Sequence, residues 1–284
     1  MKIITSPGAL SKKLRTCDAA GKRSLVPTMG ALHEGHIALI RQARGATGND
    51  GLVIVSIFVN PTQFDRADDL ENYPKTMDDD LTKCREEGVD IVFAPEPNSM
   101  YQQDHSVSVT EDSLTDRLCG ASRPGHFDGV CTVVLKLFNL TRADIAVFGK
   151  KDYQQLAVIR RMVRDLDVPI SIVGAETVRD KNGLAMSSRN LRLTAAQYAD
   201  APRIRKALLG AKKKVQSGEI SVSNLLQIAR KEIEASGEGA QIDYLELLDA
   251  ESLQPIKEVS DPAVMAAAVF YDQVRLIDNI ELIK

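Results

Sequence analysis

Length, composition and charge exclude several classes of protein. The chain has 284 residues, enough for one large domain or two smaller ones, and its formal net charge of −3 disfavours nucleic acid as a primary partner. No apolar run reaches the roughly 18 residues that cross a bilayer, and no signal peptide is recognisable. Cys17, Cys84, Cys119 and Cys131 form no Cys-x-x-Cys pair, so we expect buried, reduced thiols in a soluble cytoplasmic protein with no membrane partner.

The first predicted elements lead into a turn that carries two histidines. Ser6-Pro7 predicts the start of a helix that Gly21 ends, and 24–26 predicts a short buried strand. The turn Pro27–His36 follows, and the apolar spacing from Ile37 onward predicts a helix. Free N–H groups and the helix dipole face such a turn, which makes it a candidate phosphate site.

His33 and His36 are the candidate phosphate-binding side chains of this turn. They lie three residues apart in a first helical turn, so they project from one face. Imidazoles can hold a phosphate as it gains charge without bringing a permanent cation. A helical zinc-protease motif needs histidines four apart and is excluded. For each histidine taken alone, capping or a surface hydrogen bond is the alternative role.

A second candidate site follows the strand predicted at 51–59. This strand is β-branched and almost wholly apolar, which predicts burial on both faces in a parallel sheet with helices on each side. Pro61 ends it and leaves Asn60 and Gln63 at the C-terminal edge, where ligands collect in open α/β sheets. An ordinary Asn-Pro turn is the alternative for Asn60, so Gln63 is the stronger candidate.

The alternation of strands and helices continues to about residue 176. Asp78-Asp79-Asp80 begins the next helix, and capping explains these acids more simply than Mg²⁺ binding does. The segment 120–129, with its glycines, Arg123 and His126, is expected to be an irregular loop of the kind that forms functional lids. Strands are predicted at 90–95, 144–148 and 169–174, with a peripheral strand at 106–110, and helices at 130–140 and 153–166.

Two later segments add candidates for phosphate binding. Lys151 stands at a helix start after a buried strand, where it can neutralise a phosphate, and a solvated surface lysine is the alternative. Its neighbour Asp152 is either an N-cap or a ribose partner. Ser187, Ser188 and Arg189 combine hydroxyls with a guanidinium, which forms forked bonds to polyphosphate oxygens; a plain linker is the alternative.

The C-terminal part differs in character. Two amphipathic helices at 195–216 and 222–235 precede strands at 241–247, 264–271 and 274–277, which favours a separate small α+β domain. The predicted fold is α/β. We expect a Rossmann-like, doubly wound parallel sheet at 1–176 that binds nucleotide, and a smaller α+β lid domain at 177–284.

Five segments, taken in order, resemble the pantothenate synthetase family of the nucleotidyltransferase superfamily. They are Pro27–His36, Phe58–Phe64, Arg123–Phe127, Phe148–Gln155 and Arg275–Asn279. The late segment Met186–Arg189, paired with His33–His36, resembles the two signatures of the superfamily. Two departures from the family pattern are visible. Lys150 stands where glutamate is common, and Thr62 stands where methionine is common.

The resemblance implies a ligase that condenses (R)-pantoate with β-alanine to pantothenate in coenzyme A biosynthesis. The reaction uses ATP with Mg²⁺, passes through a pantoyl adenylate, and releases AMP and pyrophosphate. Family members form homodimers through the N-terminal domain. The roles implied by the resemblance are catalysis for His33, His36 and Lys151, with His36 an acid in the first step. Gln63 would bind pantoate and β-alanine, Gln155 would bind pantoate, and ATP would contact Met29, Gly30, Ala31, Leu32, His33, Glu34, Gly35, His36, Gly149, Lys150, Lys151, Asp152, Val178, Met186, Ser187, Ser188 and Arg189.

Three other functions are weighed against this one. A nucleotidylyltransferase or truncated tRNA synthetase is disfavoured by the negative net charge and by the lack of a helical anticodon-binding extension. A nucleotide-sensing module would bind ATP but release no AMP. A dehydrogenase is weaker still, because no Gly-x-Gly-x-x-Gly follows the first predicted strand.

Overall fold

The computed structural model describes residues 1–16, 21–65, 70–259 and 262–282, so the expectation for Cys17 lies outside the described residues. The chain divides into two compact units. The first consists of Met1–Asp112, Arg123–Lys150 and Val158–Glu176, and the second of Ser113–Ser122, Lys151–Ala157 and Thr177–Lys284. Among the residues described, no helix is both long and apolar enough to traverse a bilayer.

A six-stranded parallel sheet forms the centre of the first unit. Its strands are β1 (Lys2–Ile4), β2 (Arg23–Thr28), β3 (Leu52–Ile57), β4 (Ile91–Phe93), β5 (Ile145–Gly149) and β6 (Ser171–Ala175), in the order β1-β4-β3-β2-β5-β6. Every neighbouring pair is parallel, which confirms the doubly wound α/β class. The chain winds outward from β2 in one direction and from β5 in the other. Ligands of such sheets bind at this reversal, beyond the carboxyl ends of the strands.

The helices of the N-terminal part begin where the sequence supplies caps. They are α1 (Pro7–Arg15), α2 (Glu34–Thr47), α3 (Met77–Glu86), α4 (Pro97–Met100), α5 (Leu118–Ser122), α6 (His126–Thr141) and α7 (Tyr153–Asp165). At the start of α1, the Ser6 hydroxyl accepts a bond from the Ala9 N–H, with Pro7 in the first turn. Apolar side chains such as Val26, Ile40 and Val147 are fully buried in the core of this unit.

The second unit packs helices against a small antiparallel sheet. Strands β7 (Gln241–Asp249), β8 (Ala263–Tyr271) and β9 (Val274–Leu282) lie in that order, and helices α8 (Ala195–Asp200), α9 (Arg203–Gln216) and α10 (Val222–Glu234) precede them. Leu208, Leu225 and Met265 are fully buried in its core. This arrangement confirms the smaller α+β part of the predicted fold.

Three expectations about local structure are corrected, and one strand was not expected. Residues 106–110 form no strand, because the Val109 N–H donates to the Thr132 hydroxyl rather than to a neighbouring strand. The segment 120–129 is mostly helical: α5 reaches Ser122 and α6 begins at His126. The helix predicted at 195–216 is two helices, since Pro202 has no N–H with which to continue α8. Strand β1 was not predicted, because three residues are too few to show a period.

Candidate active site

The two histidines cap the helix that they begin. His33 is the N-cap of α2, and its Nδ1 accepts a hydrogen bond from the Gly35 N–H at 3.1 Å. The Nδ1 of His36 accepts in turn from the His33 N–H at 3.3 Å. The ring centroids lie 4.2 Å apart. Both histidines therefore cap α2, which is the alternative role considered for each of them in the sequence.

Capping nevertheless leaves each ring equipped for a phosphate. A ring nitrogen that accepts a hydrogen bond carries no proton, so a neutral imidazole of this kind is protonated on Nε2. Capping uses Nδ1 of both His33 and His36 and does not use Nε2. Each residue thus combines a structural role at one nitrogen with a donor at the other.

The turn that leads to His33 is held in an unusual backbone conformation by Asp80. Gly30 and Ala31 have positive φ angles of 86° and 51°. Asp80 is only 1% exposed, and its two carboxylate oxygens accept from the Ala31 N–H at 2.9 Å and the Leu32 N–H at 2.7 Å. Lys83, one turn further along α3, donates to the Leu32 carbonyl at 2.7 Å. A Cβ at position 30 would lie 3.0 Å from the Asp80 carboxylate, so glycine suits this site.

The three aspartates of α3 differ in their contacts. Asp80 holds the histidine turn through both of its oxygens. Asp78 and Asp79 are exposed in the first turn of the helix. Across the described ranges, no group of three or more His, Cys, Asp or Glu residues is arranged to hold a metal ion.

Gln63 and Met29 are brought together beyond the ends of adjacent strands β3 and β2. Gln63 is 8% exposed, and its Nε2 donates to the Met29 sulfur at 3.3 Å. The Asn60 side-chain amide donates to the Gln63 Oε1 at 3.0 Å and to the Gly129 carbonyl at 3.1 Å. Asn60 is buried in this network, so it orients Gln63 rather than serving only as a turn residue.

Arg123 and His126 hold the main chain of Gln63. The His126 Nδ1 donates to the Gln63 carbonyl at 2.7 Å, and the Arg123 guanidinium donates to the same oxygen at 3.2 Å. Arg123 also forms an ion pair with Asp65 at 3.0 Å. Burial acts to raise the pKa of Asp65, but the hydrogen bond and charge of Arg123 outweigh it and hold that pKa below its usual value. These two side chains clamp Gln63 instead of belonging to the irregular lid loop that the sequence suggested.

The two departures from the family pattern have local partners. The Thr62 hydroxyl donates to the Asn60 Oδ1 at 3.0 Å and so joins the network around Gln63. Lys150 follows Gly149 at the end of β5, and its Nζ lies 2.6 Å from a carboxylate oxygen of Glu176. That ion pair balances the extra positive charge.

Three predicted phosphate-binding residues line one cavity of the second unit. The enclosed space is about 10 Å³, room for about one water molecule. Its polar lining includes Lys151, Ser187, Arg189, Asn190, Arg205, Arg275 and Asp278. Four of these side chains are cationic, which suits an anion. Arg205 was not predicted as a site residue, because its surroundings are those of an ordinary amphipathic helix. Arg275 was named only as part of a family segment, with no role assigned.

The predicted ATP contacts Val178, Met186 and Ser187 lie in the stretch of the second unit that leads into a short 3-10 helix. The Met186 N–H donates to the Val178 carbonyl at 3.0 Å, so the two predicted ATP contacts form one backbone ladder. Ser187 caps the short 3-10 helix Ser188–Arg192, and its hydroxyl accepts from the Arg189 N–H at 3.3 Å. Asp152 is exposed.

The two adjacent glutamines of α7 have different surroundings. The Gln154 side chain is buried and donates to the Leu114 and Arg117 carbonyls at 2.7 and 2.8 Å. Its Oε1 accepts from the Cys119 N–H at 2.9 Å. Gln155, the predicted pantoate ligand, is half-buried. The sequence alone gives no means of assigning these roles, since the two residues are identical in type.

Sequence reasoning did not assign the role of the residues that hold the candidate ligands in place, although it singled out Asn60, Arg123 and His126. Asn60, Asp80, Arg123 and His126 all act on the backbone or side chain of a predicted site residue. Their signal in the sequence is weak, because each is a polar residue at a loop or helix start, where capping is the ordinary explanation. Long-range hydrogen bonds of this kind are visible only in the folded chain.

Comparison with known proteins gives consistent similarity along the chain. A family model described as pantoate-beta-alanine ligase matches residues 2–281. A pantothenate synthetase of Akkermansia muciniphila is 57% identical over 258 residues, 91% of each chain. The crystal structure of pantothenate synthetase from Thermus thermophilus matches with a TM-score of 0.92 at 39% identity, covering 99% of both chains. A pantoate-beta-alanine ligase from Francisella tularensis, complexed with beta-gamma ATP and beta-alanine, matches with a TM-score of 0.81 at 31% identity, covering 99% and 97%.

Proposed function

We propose roles for individual residues in the reaction of the family to which this chain belongs. That family is the pantoate-beta-alanine ligases. The chain is an ATP-dependent ligase that condenses (R)-pantoate with β-alanine to pantothenate, releasing AMP and pyrophosphate. The family resemblance drawn from the sequence is confirmed. The observation that carries the residue assignment is the histidine turn, which places two Nε2 donors at a helix N-terminus beyond the central strand β2.

The first step is the attack of the pantoate carboxylate on the α-phosphate of ATP. Both reactants are anions, so positive groups and hydrogen-bond donors must offset their repulsion as charge develops on the phosphates. We assign this task in the first unit to the Nε2 atoms of His33 and His36, with His36 as the acid, and to the N–H groups of the turn. In the second unit we assign it to Lys151 and Arg189, which are two of the four cations around the cavity.

The proposed ATP contacts extend to neighbouring backbone. They comprise Met29, Gly30, Ala31, Leu32, Glu34 and Gly35 of the turn, Gly149, Lys150 and Asp152 after β5, and Val178, Met186, Ser187 and Ser188. The Lys150–Glu176 ion pair supports a backbone rather than a charge contribution from Lys150.

Pantoate is assigned to the amides of Gln63 and Gln155, and β-alanine to Gln63. The contacts of Gln63 support this role, because its side chain is fixed by Asn60 and its carbonyl by His126. A neutral amide can bind the hydroxyl and carboxylate of a hydroxy acid without forming a strong ion pair. In the second step the β-alanine amine attacks the pantoyl adenylate, which must be protected from water while it waits.

Magnesium, dimerisation and location complete the proposal. Mg²⁺ commonly binds through one or two carboxylates together with substrate phosphates, so it requires no protein cage and supplies charge neutralisation on ATP. We further propose a cytoplasmic homodimer, with residues 1–176 binding nucleotide and pantoate and residues 177–284 acting as a lid domain.

One assay tests the reaction itself. ATP is held fixed and AMP is measured with pantoate alone, with β-alanine alone and with both. Multiple turnovers of AMP are expected only with both substrates, because pantoate alone gives pantoyl adenylate, which retains the AMP group, and releases at most one pyrophosphate per site. AMP release that depends on neither substrate, or ATP binding with no AMP in any mixture, would contradict the ligase assignment.

A further inference from the structure

Asn279 is fixed at three points in the second unit, and one of them is the candidate phosphate ligand Lys151. Its side-chain Nδ2 donates to the Lys151 carbonyl at 2.9 Å. Its own N–H donates to the Asp278 carboxylate at 2.8 Å, and its carbonyl accepts from the Arg205 guanidinium at 3.3 Å. Asn279 is 9% exposed, so these contacts are shielded from water.

Asp278, which accepts from the Asn279 N–H, is itself bound by Arg179. Asp278 receives two hydrogen bonds from the Arg179 guanidinium, at 2.7 and 2.8 Å, in a forked ion pair. Such pairs fix geometry as well as adding energy. Strand β9 therefore presents a rigid side-chain amide to the main chain of Lys151.

We propose that Asn279 is a positioning residue for Lys151 in the formation of pantoyl adenylate. The inference rests on the phosphate-binding role proposed above for Lys151. A lysine side chain is a flexible four-carbon stem, so its ammonium is placed accurately only when its main chain is fixed. Asn279 fixes the Lys151 carbonyl and, through its own carbonyl, accepts from Arg205, a second cation of the same cavity. A displacement of about 1 Å at such a site lowers the rate by as much as about 10²-fold.

The test combines substitutions at the two positions. Asn279→Asp keeps the shape of the side chain but replaces the donor by an acceptor, and Asn279→Ala removes the donor without placing a carboxylate against a carbonyl. Each is measured in the wild-type and in the Lys151→Ala background. Gln241→Glu, at an exposed position of β7, is the control for the same amide-to-acid change. Single-turnover release of pyrophosphate from ATP and pantoate reports the first step. Release of AMP from supplied pantoyl adenylate and β-alanine reports the second, and thermal unfolding identifies any variant that does not fold.

We expect both Asn279 variants to slow the first step by about tenfold or more and to leave the second step unchanged. In the Lys151→Ala background they should produce no further slowing, because their effect passes through that residue. If Asn279→Asp does not fold, Asn279→Ala decides the question. Equal slowing in both backgrounds, slowing of both steps alike, or a normal first step would overturn the inference. A normal first step in Lys151→Ala would refute the proposed role of Lys151, and this inference would then fail as well. A slow first step in Lys151→Ala together with a normal one in Asn279→Ala would refute this inference alone.

Discussion

The Gln63 side-chain amide donates to the sulfur of Met29 at 3.3 Å. These residues stand on separate loops beyond strands β3 and β2, and both were predicted as site residues from unrelated motifs. Their contact joins the proposed pantoate ligand to the proposed ATP turn within a single unit. A carboxylate bound at Gln63 and a nucleotide bound at the turn would therefore be neighbours, as adenylate formation requires.

The first prediction concerns Asp80, which holds the histidine turn. Asp80→Asn keeps the shape but presents an N–H₂ group to one of two backbone N–H donors, so a buried donor loses its acceptor. We expect a loss of about 1–3 kcal/mol in the free energy of unfolding and a raised KM for ATP. Asp79→Asn is the matched control, since it makes the same change one residue earlier at an exposed position. Equal stability of the two variants in urea unfolding would contradict the role of Asp80.

The second prediction concerns the clamp on the Gln63 carbonyl. His126→Leu removes the donor at 2.7 Å and should raise the KM for pantoate while leaving the KM for ATP nearly unchanged. His126→Asn restores an N–H donor and should recover part of the loss. Gln63→Ala should likewise raise the KM for pantoate. If His126→Leu raises the KM for ATP as much as that for pantoate, the clamp does not act through Gln63.

The third prediction separates the two glutamines of α7. Gln154→Ala leaves the Leu114 and Arg117 carbonyls and the Cys119 N–H without their side-chain partner, so it should destabilise the protein by about 1–3 kcal/mol. Gln155→Ala should leave the unfolding midpoint nearly unchanged and raise the KM for pantoate. Thermal unfolding and steady-state kinetics on the pair make the comparison. The opposite pattern, with Gln155 stabilising and Gln154 binding, would reverse the assignment.

The sequence offered candidates for ligand contact, but it did not indicate the residues that position them. The turn at His33, the edge residue Gln63 and the cluster of Lys151, Ser187 and Arg189 all follow from strand ends and helix starts, because local chain direction determines where such groups point. Asp80 was explained as a helix-start acid, since its contacts with Ala31 and Leu32 span 49 and 48 positions of sequence. Long-range hydrogen bonds leave no period in the sequence.

The same limit applies to the local fold. The strand at β3 was predictable from an unbroken β-branched run, whereas the three-residue strand β1 depends on its pairing with β4. The extended pattern at 106–110 was misleading because alternation alone does not supply a partner strand. Glycines and a proline in 120–129 suggested an irregular loop, but Gly125 instead serves as the N-cap of α6 with a φ of 77°.

The fourth prediction concerns cysteine reactivity. Burial raises the pKa of Cys84 to about 11 and that of Cys131 to about 12, so about one Cys84 in a thousand is thiolate at pH 8. Cys119 is half-buried. In native protein at pH 8, iodoacetamide should label Cys119 well before the other two, and labelling of Cys84 should increase as the pH approaches 11. Denatured protein is the control, in which all three should label together. Native labelling of Cys84 as fast as that of Cys119 would contradict the burial described.

The most direct test of the account is single-turnover release of pyrophosphate by His36→Ala and Lys151→Ala with ATP and pantoate. Each variant removes a group aimed at charge that develops on the phosphates, so the account predicts a rate lower by roughly 10²–10³. His105→Ala, which changes an exposed histidine of the first unit, is the control and should react at the normal rate. Near-normal pyrophosphate release by both site variants would contradict the central claim that these residues bind the ATP phosphates.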